Sequence, residues 1–294
     1  MTDAARDVDQ GEALQVGEVE LWVDDAGEGD DTVVLLAGAD TPGFRWAPDF
    51  VDALLDDGYR VVRFDHRDCG RSQWLGSEAG YLLRDLTDDL VGLLDHLEVG
   101  AAHLVGRSMG GMVAQEAALD HPDRVQSLTL LGSTPGAGDE RLPGPDDEFV
   151  DAMMHRLYAG PPTDRRALVS WIAELGRLMA GDAYPFDDDE AHRLAAAEVA
   201  TGWQPDSGHG VAVHGSPSRL DRLGEIVQPT LVVHGTADPV FPIEHGQALA
   251  LGIDGAVYVE IDRLGHETPA PMLTELLPVL LQHLQAARDW RLDA

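Results

Sequence analysis

A serine lies between two glycines in Gly106-Arg107-Ser108-Met109-Gly110, and this stretch is the part of the chain best suited to nucleophilic chemistry. It follows the short apolar run Ala102-His103-Leu104-Val105 and opens a helical pattern from Gly111 to Leu119. Strand, G-x-S-x-G, helix is the arrangement that puts a serine hydroxyl at the exposed tip of a sharp, strained turn. Glycines flank it because bulkier side chains would collide with the adjoining strand and helix at so tight a corner. A serine hydroxyl is a weak nucleophile by itself. The chemistry therefore calls for a base, an acid that orients the base, and a site for the developing oxyanion.

The base must come from 12 histidines. His266, in Leu264-Gly265-His266-Glu267, follows the last strand-like run and precedes the last helical one, which places it on a loop at the same sheet edge as Ser108. For this kind of turn the chain order is serine, acid, histidine. Asp238, in Gly235-Thr236-Ala237-Asp238-Pro239, follows the strand-like Leu231 to His234 and is the preferred acid. Asp139, after the preceding strand, is the second candidate, and Asp before Pro is also an ordinary turn starter. Backbone N–H groups of Met109 and Ala39 are the expected oxyanion donors, with Gly38 allowing the close approach.

These residues need a scaffold. Thr32 to Ala37 and Ala102 to Val105 are continuous apolar runs, as expected for strands covered on both faces. Val19 to Val23 reads as an edge strand, Tyr59 to Phe64 and Val125 to Leu131 as further strands, and Phe50 to Leu55 and Leu82 to Leu97 as helices. Alternating strands and helices imply an α/β fold with a mostly parallel central sheet flanked by helices, and ligands bind at the carboxyl ends of such strands. From Gly136 to Arg222 the alternation gives way to an irregular, proline-containing helical stretch. The expected organisation is a flexible tail over 1–15, a core from 16–135 and 223–294, and a helical cap insertion over 136–222. Strands resume at Thr230 to His234 and Ala256 to Glu260, and a helix from Pro271 to Arg288 closes the chain.

Composition narrows the function. The chain has 294 residues, 53 acidic against 20 basic, and every basic residue is arginine. So acidic a surface repels phosphate backbones and anionic lipid, which argues against nucleic-acid and membrane partners. Adaptation to a salty cytoplasm and a high-GC codon bias both account for the acidity, and salt dependence of stability separates them. No apolar run approaches the roughly 18 residues that span a bilayer. The first residues lack a basic region followed by an apolar one, and a single cysteine, Cys69, excludes an internal disulfide. A cytoplasmic protein, monomer or homodimer, is expected. Neither paired cysteines nor an H-x-x-x-H pattern occurs, so no metal site is expected.

With these pieces placed, the chain resembles the α/β-hydrolase fold family over nearly its whole length after residue 16. The serine turn, Gly235 to Pro239, Gly265-His266 and the loop Asp65-His66-Arg67-Asp68-Cys69-Gly70-Arg71-Ser72 carry the likeness. Within that family it is most similar to aclacinomycin methylesterase and related actinobacterial hydrolases, through Val19 to Trp22, Leu142-Pro143-Gly144-Pro145 and Pro185-Phe186-Asp187-Asp188. It departs from the family in Asp68, where glycine is frequent, and in Gly38-Ala39, where His-Gly or Gly-Gly is usual. The resemblance implies a serine hydrolase of carboxylic esters working through a Ser-His-Asp triad and an acyl-enzyme, without cofactor. A C–C bond hydrolase or a cofactor-free peroxidase-like enzyme of the same fold is the alternative, and a non-catalytic ligand-binding protein the remote one. The substrate is expected to be a small-molecule ester, bulky and apolar. Trp46, Met153, Tyr158, Trp171, Phe186 and Trp203 are the pocket candidates, some reaching the substrate and the rest packing the insertion against itself.

Overall fold

A computed structural model describes residues 11–290. Its centre is an eight-stranded sheet in the order β1-β2-β4-β3-β5-β6-β7-β8. Strands β1 (Glu12–Val16) and β2 (Val19–Ala26) run antiparallel to their neighbours. The parallel part comprises β3 (Thr32–Leu36), β4 (Arg60–Phe64), β5 (Ala102–Arg107), β6 (Val125–Leu131), β7 (Thr230–Gly235) and β8 (Val257–Ile261).

The apolar runs have a simple cause. Along β3, Val34 and Leu36 point into one core, and Val33 and Leu35 into the other. Successive side chains of a strand face opposite sides, so a strand covered twice must be apolar throughout. Helices α2 (Leu83–His96), α3 (Met109–Asp120) and α8 (Glu244–Gly252) fill the first core, and α1 (Pro48–Asp56) and α9 (Leu273–Ala287) the second. In α2 the buried residues Leu83, Leu86, Leu90, Leu93 and Leu94 recur at helical spacing. Its start is held by the Asp85 carboxylate, which accepts the Leu82 N–H at 2.7 Å.

Between β6 and β7 the chain forms α4 (Asp147–Ala159), α5 (Arg165–Met179), α6 (Asp188–Thr201) and α7 (His209–Gly215). Asp164 caps α5 through the Ala167 N–H and Asp187 caps α6 through the Glu190 N–H. Ile172, Ala173 and Ala195 give this segment a small core of its own. It is tied down over the carboxyl ends of the strands. Met179 accepts the His266 N–H at 2.7 Å, and the Asp68 carboxylate accepts the Gly208 N–H at 2.9 Å.

One expectation is corrected. Residues 12–15, read as tail, belong to β1, which takes the sheet edge in place of β2 through a tight turn at Gly17, φ 56°. The remainder of that expectation, residues 1–10, lies outside the described residues. Besides that correction, helix α8 is an element for which the sequence analysis gives no expectation, and Gly246 lies within it. That glycine is required, since a Cβ there would stand 2.6 Å from the His234 ring. No helix among the described residues is long and apolar enough to cross a membrane.

Leu90 is wholly buried, 0% exposed, between α2 and the sheet. Leu90→Ala is expected to lower unfolding free energy by about 2–5 kcal/mol, read as a lower urea midpoint with unchanged slope.

Candidate active site

Ser108 stands between β5 and α3 with φ 53° and ψ −120°, a conformation costly for a residue with a side chain. Its surroundings leave little choice. A Cβ on Gly106 would lie 2.4 Å from the Gly110 carbonyl oxygen, and one on Gly110 would lie 2.2 Å from that of Leu36. The Ser108 N–H donates to the Leu131 carbonyl at 2.9 Å, and Ser133 Oγ donates to the Ser108 carbonyl at 2.9 Å.

His266 follows β8. Ser108 Oγ lies 2.9 Å from its Nε2, and its Nδ1 lies 2.7 Å from Asp238 Oδ2. The shared carboxylate fixes the tautomer: Nδ1 carries the proton to Asp238, leaving Nε2 free to accept from the hydroxyl. Asp238 Oδ1 also accepts the Val240 and Phe241 N–H groups, each at 2.9 Å. Burial pushes this carboxyl up, but the adjacent His266, His234 and the Phe241 N–H outweigh it and hold Asp238 below the ordinary aspartate range. The Phe241 ring stands edge-on to His266, with centroids 5.4 Å apart.

The loop after β3 approaches the same point, since a Cβ on Gly38 would be 3.3 Å from Ser108 Cβ. Met109 opens α3, where an N–H has no acceptor in its own helix and the helix dipole favours negative charge. Ala39 follows Gly38 in the loop. Asp139, the second acid candidate, is engaged elsewhere: it accepts from the Arg141 side chain at 2.9 and 2.7 Å.

Comparison with known proteins gives the fold its place. Residues 32–268 match the family described as alpha/beta hydrolase fold. The chain belongs to that family. Within the α/β-hydrolases, rhodomycin D methylesterase DauP of Streptomyces sp. (strain C5) is 34% identical over 292 residues, covering 92% of this chain and 96% of that protein. A 2-hydroxy-6-oxononadienedioate/2-hydroxy-6-oxononatrienedioate hydrolase of Paraburkholderia xenovorans is 31% identical, covering 85% of each. Among solved structures, a hydrolase from Pseudomonas aeruginosa PA01 aligns with TM-score 0.71 and 26% identity, covering 97% of this chain and 100% of that one. A bromoperoxidase from Bacillus anthracis aligns with TM-score 0.76 and 26% identity, over 94% and 100%.

Against this α/β-hydrolase frame the aromatic pocket candidates separate. Trp46 is buried at 6% exposure and stacks on Phe50, with centroids 5.2 Å apart, so it belongs to the core under the sheet. Tyr158 is 82% exposed on the outer face of α4. Trp171 and Trp203 meet at 5.9 Å and cover the small core of the helical segment, and Trp203 also borders a cleft with Asp40 and Glu198. Met153 is half-buried on α4. Phe186 packs beside Gly176, where a Cβ would lie 3.7 Å from its ring and 4.0 Å from Glu267 Oε1.

One pair escaped the sequence reading. Arg107, the residue before Ser108, donates to Glu267, the residue after His266, at 3.0 Å. Burial raises the Glu267 carboxyl, yet Arg107 and Arg45 bring it below its usual range. The ion pair holds the histidine loop against the serine strand. Both residues flank the motifs already singled out, but a separation of 160 positions hides their contact.

Because the Asp238 carboxyl is depressed in the folded chain, its stabilising contribution is full above about pH 4, the unfolded value, and is lost as pH falls through the folded value. In urea titrations between about pH 5 and 2, Asp238→Asn is expected to flatten the decline of the midpoint seen for the unaltered chain.

Proposed function

We propose that this α/β-hydrolase cleaves carboxylic esters, with Ser108 as nucleophile, His266 as general base and acid, and Asp238 as the group that orients the imidazole. The observation that carries this reading is the continuous hydrogen-bonded line from Ser108 through His266 to Asp238. In the reaction His266 Nε2 takes the hydroxyl proton as Oγ attacks the ester carbonyl carbon. The Met109 and Ala39 N–H groups receive the oxyanion. Protonated His266 then gives its proton to the departing alkoxide, leaving an acyl-serine. Water, deprotonated by His266, attacks that ester, and as the acid is released His266 returns the proton to Ser108 Oγ. Serine, imidazole, carboxylate, backbone and the attacking water supply every proton and charge in these steps.

Ester cleavage is preferred over the C–C alternative because relatives named rhodomycin D methylesterases cover this chain more fully and at higher identity than those named for cleavage of dienedioates. The bulky, apolar acyl group expected from sequence is supported by the missing side chain at Gly176, where a Cβ would lie 4.0 Å from Glu267 Oε1 in the histidine loop. The helices between β6 and β7, tied at Met179 and Gly208 to loops at the strand ends, act as a cap over that acyl group.

Methyl esters of polycyclic aromatic acids, beside aryl esters of graded acyl length, test this directly. Turnover of the bulky methyl esters and stoichiometric labelling by a fluorophosphonate are expected, with labelling lost in Ser108→Ala and kcat lowered about 10⁴-fold in Asp238→Asn. A wild-type chain that resists the fluorophosphonate, or that splits only a vinylogous diketone and no ester, would overturn the reading.

A further inference from the structure

His209 opens α7, is 0% exposed, and takes no part in the steps above. Its two ring nitrogens are both engaged with the core. Nε2 lies 2.8 Å from the Arg67 carbonyl oxygen in the loop after β4, and Nδ1 lies 2.8 Å from the Asp40 backbone nitrogen in the loop after β3. A carbonyl can only accept and an amide N–H can only donate. The neutral ring with its proton on Nε2 therefore satisfies both contacts. The Asp40 carboxylate, 3.1 Å from Nδ1, would require a proton on that nitrogen, and it has the Ser207 hydroxyl as donor instead.

The position of that amide gives the contact its meaning. The Asp40 N–H and the Ala39 carbonyl belong to one peptide unit. His209 holds its N–H, and Thr41 Oγ1 donates to its carbonyl at 2.9 Å. A planar peptide gripped at both ends cannot rotate, so ψ of Ala39 and φ of Asp40 lose most of their freedom. Next door, Asp40 sits at φ 55°, a conformation that persists only when the surroundings over-determine it. On the other side stands Gly38, which imposes no such restraint on its own. The imidazole thus lies one residue from the Ala39 donor, on the side where the backbone is strained.

Resting on the esterase reading above, we propose that His209 is a positioning residue for the oxyanion hole. Its Nδ1 fixes the peptide after Ala39 and so aims the Ala39 N–H at the charge that develops in the transition state. Because His209 belongs to the helical segment between β6 and β7, seating of that segment and completion of the oxyanion hole become one event. Gly208, held by Asp68 at 2.9 Å, sets the ring's approach. The loops after β3 and β4 carry the core half of the contact, and α7 carries the other half.

The test replaces one nitrogen at a time in the full chain. His209→Asn puts an amide oxygen near the position of Nδ1, whereas His209→Gln reaches the position of Nε2 and leaves the Asp40 N–H without an acceptor. His209→Leu removes both. With the ester turned over best by the wild type, His209→Gln and His209→Leu are expected to lower kcat by about 10–100-fold with KM changed less than about 2-fold, and His209→Asn to recover most of the loss. A trifluoromethyl ketone, which forms a tetrahedral oxyanion on Ser108, should weaken by the same factor as kcat, while the carboxylic acid product should bind equally to all. If kcat follows the melting temperature and not the identity of the nitrogen retained, or if His209→Gln keeps wild-type kcat, the proposal is wrong. Absence of both turnover and fluorophosphonate labelling in the wild type would instead remove the esterase reading, and the inference with it.

Discussion

Everything at the strand ends depends on the backbone of Ser108. At φ 53° and ψ −120° it bends from strand into helix within one residue. Such strain survives only where neighbours leave no alternative. Here they are the carbonyls of Gly110 and Leu36, close enough to exclude any Cβ at Gly106 or Gly110, and the Leu131 carbonyl, which accepts the serine N–H. The buried strands β3 and β6 supply two of these contacts. The two cores that hold the sheet between helix layers are therefore what keeps the hydroxyl at the tip of its turn.

The second theme is how a chain with formal net charge −33 uses its few cations. Several arginines are committed to buried or half-buried carboxylates on other elements: Arg63 to Asp24, Arg67 to Asp89, Arg107 to Glu267 and Arg45 to Glu198. The planar guanidinium suits this work, since it can bridge a carboxylate with two parallel hydrogen bonds, as Arg67 does with Asp89 at 2.7 and 2.5 Å. Glu198 shows the limit of the pairing. Its burial outweighs Arg45, and with Glu267 and Asp40 nearby its carboxyl stays above the usual range. Such pairs contribute less to net stability than to holding one element in register with another, because desolvation offsets most of the Coulombic gain.

Elements were legible where one local rule decided them. The run Thr32 to Leu36 could only be a doubly covered strand, and the leucine spacing of α2 could only be a helix with one buried face. Strand β1 was hidden because Glu12 to Val16 has little burial of its own, and its identity comes from pairing with β2. Helix α8 was hidden because Gly246 lowers helix propensity while serving a contact with His234 made by tertiary packing. Aromatic side chains were the least legible feature. Trp46 and Tyr158 are similar in apolar content, yet one is sealed in the core and the other faces solvent.

By itself the sequence determined the class of the fold and named the serine, histidine and carboxylate that a hydrolytic site would need. It could do so because each sits in the loop after a strand, and parallel strands deliver those loops to one edge of the sheet. The tertiary structure alone decided that Arg107 meets Glu267 and that His209 holds the amide beside Ala39. Those contacts join residues 160 to 169 positions apart. No periodicity or local motif encodes such pairs; they arise from the way separate elements close over a common sheet.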